Sequence, residues 1–290
     1  MELKGTHSME NRGGLAAFVL AIMFFQTIVE KLAIAEEMPQ RIVSIHLCAD
    51  QFTLALANRA QIASLSYLAT DESRSYMANA AKGIQLNNGT AEEVVALRPD
   101  LVLAGFMSAR ATIESLQALG YRVLELALST NFDDIRAQIQ LLADILGNPK
   151  KGKTLIAKMD QQLETAVTDI YGSRPLAAIY QPMGFTSGRG SLESSILISA
   201  GFENLAVRLK MGALGHLPLE TLISARPSLL VNWMGDDPHP SLSRAGYAHP
   251  VLAKGPWQIA FIPNKLWSCG AWYSALAVKQ LAAIRRSLKK

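Results

Sequence analysis

The sequence predicts an α/β fold in two lobes, each a mostly parallel sheet flanked by helices, joined by one long rigid helix. Three observations carry this expectation. A helix-turn-strand unit, TAEEVVALRPDLVLAG at Thr90 to Gly105, returns in degenerate form as LPLETLISARPSLLVNW at Leu217 to Trp233. Short apolar runs alternate with helical patterns along the chain, the pattern of a parallel sheet covered on both faces. Between the two halves, Pro149 to Tyr171 places Leu155, Ile156, Met159, Leu163, Ala166, Val167 and Ile170 at three- and four-residue spacing. A helix of that length spans about 34 Å at 1.5 Å per residue, enough to tie two lobes together.

The repeated unit is the most specific signal. Superposing Pro99 on Pro227 brings Glu92 onto Glu220, Arg98 onto Arg226, and Leu101 to Leu103 onto Leu229 to Val231. Thr90 and Glu93 have the spacing of a capping box, in which each side chain satisfies a free amide of the first turn. In the second copy Pro218 suits a first helical residue, whose N–H is not needed. Arg-Pro then stops both helices, because proline disfavours helical backbone in the residue before it. Four or five apolar residues follow, as in a strand buried on both faces.

The 290 residues are 50% hydrophobic and 18% charged, which excludes a disordered chain. A net charge of +4 is mild at this length and gives no nucleic-acid footprint. Basic residues concentrate only at Arg285, Arg286, Lys289 and Lys290, expected to be a solvated helix end that complements the dipole. At the other terminus Lys4 and Arg12 precede an apolar run from Gly13 to Val29, and Ala33-Ile34-Ala35 gives a small-x-small cleavage pattern. Residues 1–35 therefore read as a signal peptide that is removed, leaving a soluble periplasmic chain. An uncleaved anchor is the alternative on length alone.

In order, the mature chain offers a strand at Arg41 to His46, a helix at Ala49 to Ala57 and a strand at Ile62 to Ser66. A polar stretch and the turn Asn87-Asn88-Gly89 lead into the first repeat unit. Ser108 to Leu119 is a helix closed by Gly120, Val123 to Leu126 a strand, and Asn131 to Leu146 a helix closed by Gly147. This gives a first lobe over residues 36–147 and a connecting helix over 148–173. The second lobe, 174–290, has the strand Leu176 to Tyr180, a helix at Leu192 to Ala200, the second repeat unit and an irregular stretch from Gly235 to Pro256. The strand Ile259 to Ile262 and a helix from about Tyr273 to Leu288 complete it. The two cysteines, Cys48 and Cys269, read first as separate thiols, with a disulfide and then metal ligation as the alternatives.

Two α/β lobes on one long helix, behind a secretory signal, resemble the periplasmic substrate-binding proteins of ABC importers for ferric siderophores, haem and cobalamin. The resemblance covers nearly all of residues 40–288. It rests on RIVSIHLCADQFTLAL, AEEVVALRPDLVLAG, SGRGSLESSILISAGFENLA, PLETLISARPSLLVNW and the tail from His249-Pro250 to Pro263. It implies a receptor that captures an iron complex of the siderophore type, with cobalamin or haem as alternative ligands of the same fold. It also implies that one glutamate per lobe, Glu92 and Glu220 here, docks onto arginines of the inner-membrane permease through charge-assisted bonds. The receptor is expected to be a monomer without a cofactor, a resident metal or a nucleic-acid partner, and not an enzyme.

The ligand site is expected where loops leave the carboxyl ends of the strands. In the first lobe this selects His46, Leu47, Cys48, Tyr67, Phe106 and Met107. In the second it selects Gln181, Met183, Phe185, Arg189, Trp233, Met234 and the stretch from Trp267 to Trp272. His46, Cys48, Tyr67, Phe106, Arg189, Trp233, Trp267 and Trp272 are the principal candidates. Their aromatic and largely uncharged chemistry suits a large, partly apolar ligand held by stacking and a few polar contacts. His46 could also ligate a chelated metal, and Arg189 could pair with a ligand carboxylate. A bare metal ion would need three or four converging ligands, and the mature chain has only His46, His216, His239 and His249. A Cys48–histidine enzyme is the other alternative, but no Gly-x-Ser-x-Gly or other nucleophile motif appears in the chain.

Overall fold

The computed structural model describes residues 38–169, 172–232 and 250–288. The predicted signal peptide 1–35, Trp233, Met234, His239, His249, Lys289 and Lys290, and most of the irregular stretch lie outside the described residues. From Pro39 onward the chain is one compact unit, and within it two parallel sheets recur with the same plan.

The first sheet takes β1 (Ile42–Ser44), β2 (Ile62–Ser66), β3 (Leu86–Asn87), β4 (Leu101–Gly105) and β5 (Val123–Leu126) in the order β3-β2-β1-β4-β5. The second takes β6 (Leu176–Ile179), β8 (Glu203–Asn204), β10 (Leu229–Asn232) and β11 (Gln258–Phe261) in the order β11-β10-β6-β8. Between them in sequence, β7 (Phe185–Thr186) and β9 (Gly215–His216) form a small antiparallel ladder. With β6 matched to β1 and β8 to β2, the second order repeats the first. The repeated unit occupies equivalent places: Leu101 pairs with Ile42 in one lobe, and Leu229 with Ala177 in the other.

Its helices are α3 (Ala91–Ala96) and α9 (Leu219–Ala225). The others are α1 (Leu47–Leu56), α2 (Ala78–Ala81), α4 (Arg110–Ala118), α5 (Phe132–Ile145), α6 (Pro149–Val167), α7 (Leu192–Ser199), α8 (Leu205–Arg208), α10 (Pro250–Lys254) and α11 (Ser274–Leu288). Arg98 and Arg226, which follow α3 and α9, both take left-handed backbone with φ of 45°. The proline behind each excludes the helical alternative, and the chain accepts about 1 kcal/mol of strain twice to turn into the strand.

Half of the expected capping box forms. The Thr90 hydroxyl accepts from the Glu93 amide at 3.4 Å, but the Glu93 carboxylate accepts from Asn88 N at 2.6 Å and Asn88 Nδ2 at 2.8 Å. The left-handed turn at Gly89 brings those donors nearer than the Thr90 amide, and they hold the Glu93 carboxyl below its usual range. Pro218 stands one position earlier than expected, before the first helical residue, in extended backbone. The first strand is shorter than predicted because His46 leaves it to cap α1, which therefore begins at Leu47.

The connecting helix α6 has 19 residues and ends at Val167, short of the predicted Tyr171. It packs against α5 of the first lobe and α11 of the second. Gly152 makes the α5 contact possible, since a Cβ there would stand 2.5 Å from the Ala143 Cβ. The two arginines differ in their surroundings. Arg285, 1% exposed, is not solvated and donates through Nη2 to the Ser173 carbonyl at 3.0 Å. Arg286 stays exposed, as expected, while its Nη1 donates to the Ala166 carbonyl at 3.1 Å, placing positive charge where α6 ends and its carbonyls lack intrahelical donors. One apolar core runs through both lobes, from Ile42, Phe52 and Leu103 through Met159 to Ile179, Val231 and Leu281.

Candidate ligand crevice

The two lobes meet at the carboxyl ends of their strands. The first lobe places His46 after β1 and Phe106 after β4, neighbouring strands whose connections leave in opposite directions; such a point opens a crevice in a parallel sheet. The His46 and Phe106 rings lie 6.4 Å apart at 59°. Gly105 permits this: a Cβ there would stand 2.2 Å from His46 Nδ1. His46 Nδ1 also accepts from the Cys48 amide at 3.2 Å, capping α1. With Nδ1 accepting, a neutral imidazole carries its proton on Nε2, so this nitrogen is a donor rather than a metal ligand. Burial holds the His46 pKa below its ordinary value, which favours that neutral form.

Cys48 is bonded to Cys269 of the second lobe across 221 residues. This settles the question the sequence left open and removes the thiol that a cysteine nucleophile would need. The crevice at the bridge is lined by His46, Cys48, Phe106 and Leu128 on one side and by Ser268 to Gly270 on the other. It runs into a larger apolar cavity of about 480 Å³ between β5 and α5, bounded by Leu126, Leu128, Ala137, Gln138 and Leu141.

Of the predicted ligand residues, the structure therefore joins His46, Cys48 and Phe106. Tyr67, 56% exposed, opens the 3₁₀ turn after β2, outside this crevice. Arg189 is exposed in the loop before α7, held there by its amide to the Met211 carbonyl. Trp267 lies in the core, not the lining: a 3₁₀ turn at Asn264–Leu266 folds it inward to 2% exposure. Trp272 is half-buried, its ring edge-on to Phe52 at 6.0 Å and Tyr76 at 6.5 Å. One feature was missing from the expected set: the loop after β5, with Leu128 and Ser129, follows the same strand-end rule that found His46. Gln181, expected in the second-lobe site and equivalent in place to His46, is 2% exposed, and its side-chain amide has no hydrogen-bond partner among the described residues.

Glu92 and Glu220 lie exposed in the first turns of α3 and α9. Among the described residues no three histidine, cysteine, aspartate or glutamate side chains converge as a metal site.

A sequence profile described as periplasmic binding protein matches residues 42–244. The chain belongs to that family. Among solved periplasmic binding proteins, a haem-binding protein, RhuT, from Roseiflexus sp. RS-1 in apo form aligns with a TM-score of 0.71 at 20% identity. The alignment covers 87% of this chain and 99% of that one. The vitamin B12 binding protein BtuF of Vibrio cholerae aligns with a TM-score of 0.66 at 18% identity, covering 87% and 98%. A cobalamin-binding protein of Halobacterium salinarum is 24% identical over 203 residues, 69% of this chain. The chain spans about half of that relative, 55% of its length. The structural neighbours establish the two-lobed periplasmic-binding-protein fold.

Proposed function

We propose that this chain is the solute receptor of an ABC importer. It captures a metal chelate of the ferric-siderophore type between its lobes and delivers it to an inner-membrane permease and its ATPase. The observation that carries this reading is the crevice at the strand ends: a neutral imidazole, an exposed phenylalanine and an apolar cavity, with no lysine or arginine among the described residues that line it. Such a surface favours a bulky, partly apolar chelate over a small anion, which would need cations or clustered free amides. Haem and cobalamin are the second reading, favoured by what the neighbours and the Halobacterium relative are described as binding. The reading includes removal of residues 1–35 during export, periplasmic residence as a monomer, and no covalent chemistry on the ligand.

Tyr67, Arg189, Trp233 and Trp272 remain proposed ligand contacts, Trp233 lying outside the described residues. Glu92 and Glu220 are the proposed docking points, one per lobe, each exposed at the start of the repeated helix. Intrinsic tryptophan fluorescence titrated with ferrichrome, haemin and cyanocobalamin tests the ligand class. Saturable quenching by one of them supports the receptor, and none by any counts against it. For docking, Glu92→Lys with Glu220→Lys should abolish uptake into vesicles carrying the permease while leaving the titration unchanged. Undiminished uptake would sink that part.

A further inference from the structure

The Cys48–Cys269 bond joins the first turn of α1 in the first lobe to the segment between β11 and α11 in the second. That segment crosses to the first lobe repeatedly. Lys265 Nζ donates to the Glu72 carbonyl at 3.0 Å, and Tyr273 stacks on Tyr76 at 4.3 Å. Gly270 lies so close to Ser129 that a Cβ would stand 2.5 Å from the Ser129 Cβ. The same segment, Ser268 to Gly270, is the crevice's second-lobe wall, and the bridge itself is part of the lining.

We propose that the Cys48–Cys269 disulfide is a latch that holds the second-lobe wall of the crevice against the first lobe, so that ligand affinity depends on the oxidation state of this pair. The inference rests on the crevice being the ligand site. The segment is also tied by an exposed lysine-to-carbonyl bond, by ring contacts and by the burial of Leu266, Trp267, Ala271 and Tyr273 in the shared core; all of these are non-covalent and can open transiently at the crevice wall. The covalent bond is the one that does not open thermally. Without it, the wall spends part of its time away from His46 and Phe106, and affinity falls by the fraction of time the crevice is complete. Reduction is a two-electron, two-proton exchange. One thiolate of a dithiol attacks the half-buried Cys48 sulfur, Cys269 leaves as thiolate and takes a proton, and the reductant's second thiolate displaces Cys48, closing its own disulfide. Cys269 is buried, which directs attack to Cys48.

The test compares three forms by hydrogen exchange and ligand titration: oxidised wild type, wild type reduced with dithiothreitol, and the Cys48→Ser/Cys269→Ser double variant. Amides of α1 and of residues 262–273 should exchange about tenfold faster or more in both thiol-free-bridge forms. Kd for whichever of ferrichrome, haemin or cyanocobalamin binds the oxidised protein should weaken about tenfold or more in parallel. Reduction of folded wild type keeps the comparison decisive if the double variant does not fold. Unchanged exchange, or faster exchange with unchanged Kd, overturns the latch. If none of the three binds the oxidised protein, the receptor reading fails, and the exchange comparison still decides whether the bridge holds the wall.

Discussion

His46 does three things with one ring: it ends β1, caps α1 through Nδ1 and presents its other edge toward the crevice. Its position depends on Gly105 having no side chain. A Cβ 2.2 Å from Nδ1 cannot be accommodated without moving the ring. Gly105→Ala should therefore uncap α1, at about 1 kcal/mol of stability, and weaken ligand binding more than any conservative change on the crevice rim. Urea unfolding and the fluorescence titration measure the two effects, and wild-type values in both would refute the coupling. Beneath the crevice, Asp50 is fully buried, accepting from Ser66 N at 3.0 Å and Ser66 Oγ at 2.5 Å. Burial pushes its pKa from the ordinary 3.8 up to about 7 despite those bonds. The folded chain thus retains a proton there that the unfolded chain has released. Its stabilising contribution is complete below the unfolded value of 3.8 and is lost as pH rises to about 7, for a few kcal/mol at most. Asp50→Asn should flatten this fall in urea midpoint across that window, and an unaltered pH profile would refute it.

At the level of elements, the repeat was the most legible part of the sequence, because proline acts on its immediate neighbour. The Arg-Pro pairs end α3 and α9 by a rule that acts within their own segments. Where two partners competed for one group, local pattern misled: Glu93 met the Asn88 amides before the Thr90 amide. Arg285 of α11 read as solvated because nothing in its own segment reveals that it is buried against the Ser173 carbonyl. The pairing of α5 with α6 leaves no room for a Cβ at Gly152, which would stand 2.5 Å from the Ala143 Cβ. Gly152→Val should force these helices apart. It should lower stability by about 1–3 kcal/mol despite the poor helix propensity of glycine, whereas Lys150→Ala, exposed two residues before it, should cost little. Thermal unfolding of the two variants checks the contrast, and equal midpoints would refute the close-packing argument.

Across the whole molecule, the two-lobed plan was readable because it is written twice. Strand alternation, the repeated unit and the long helical pattern each imply it separately. The site was legible only as a set of strand ends. That rule picked out His46, Cys48 and Phe106, which the structure brings to one crevice, yet it could not know that a turn at Asn264–Leu266 buries Trp267 or that Cys269 crosses to the other lobe. Those outcomes depend on how the lobes approach each other, which no local spacing encodes. The same approach governs how the molecule unfolds. The largest apolar core takes side chains from both sheets and from α6 and α11, with the disulfide at its edge. Neither lobe keeps its core if the other unfolds. Oxidised protein should therefore unfold in one calorimetric transition, with the van't Hoff enthalpy equal to the measured one. Ligand binding should leave the radius of gyration unchanged within the precision of solution scattering, because α6 and the bridged segment tie the lobes at two separate places. Two resolved transitions would mean that the core is divided, and a measurable contraction on ligand addition would mean that the two ties do not act together.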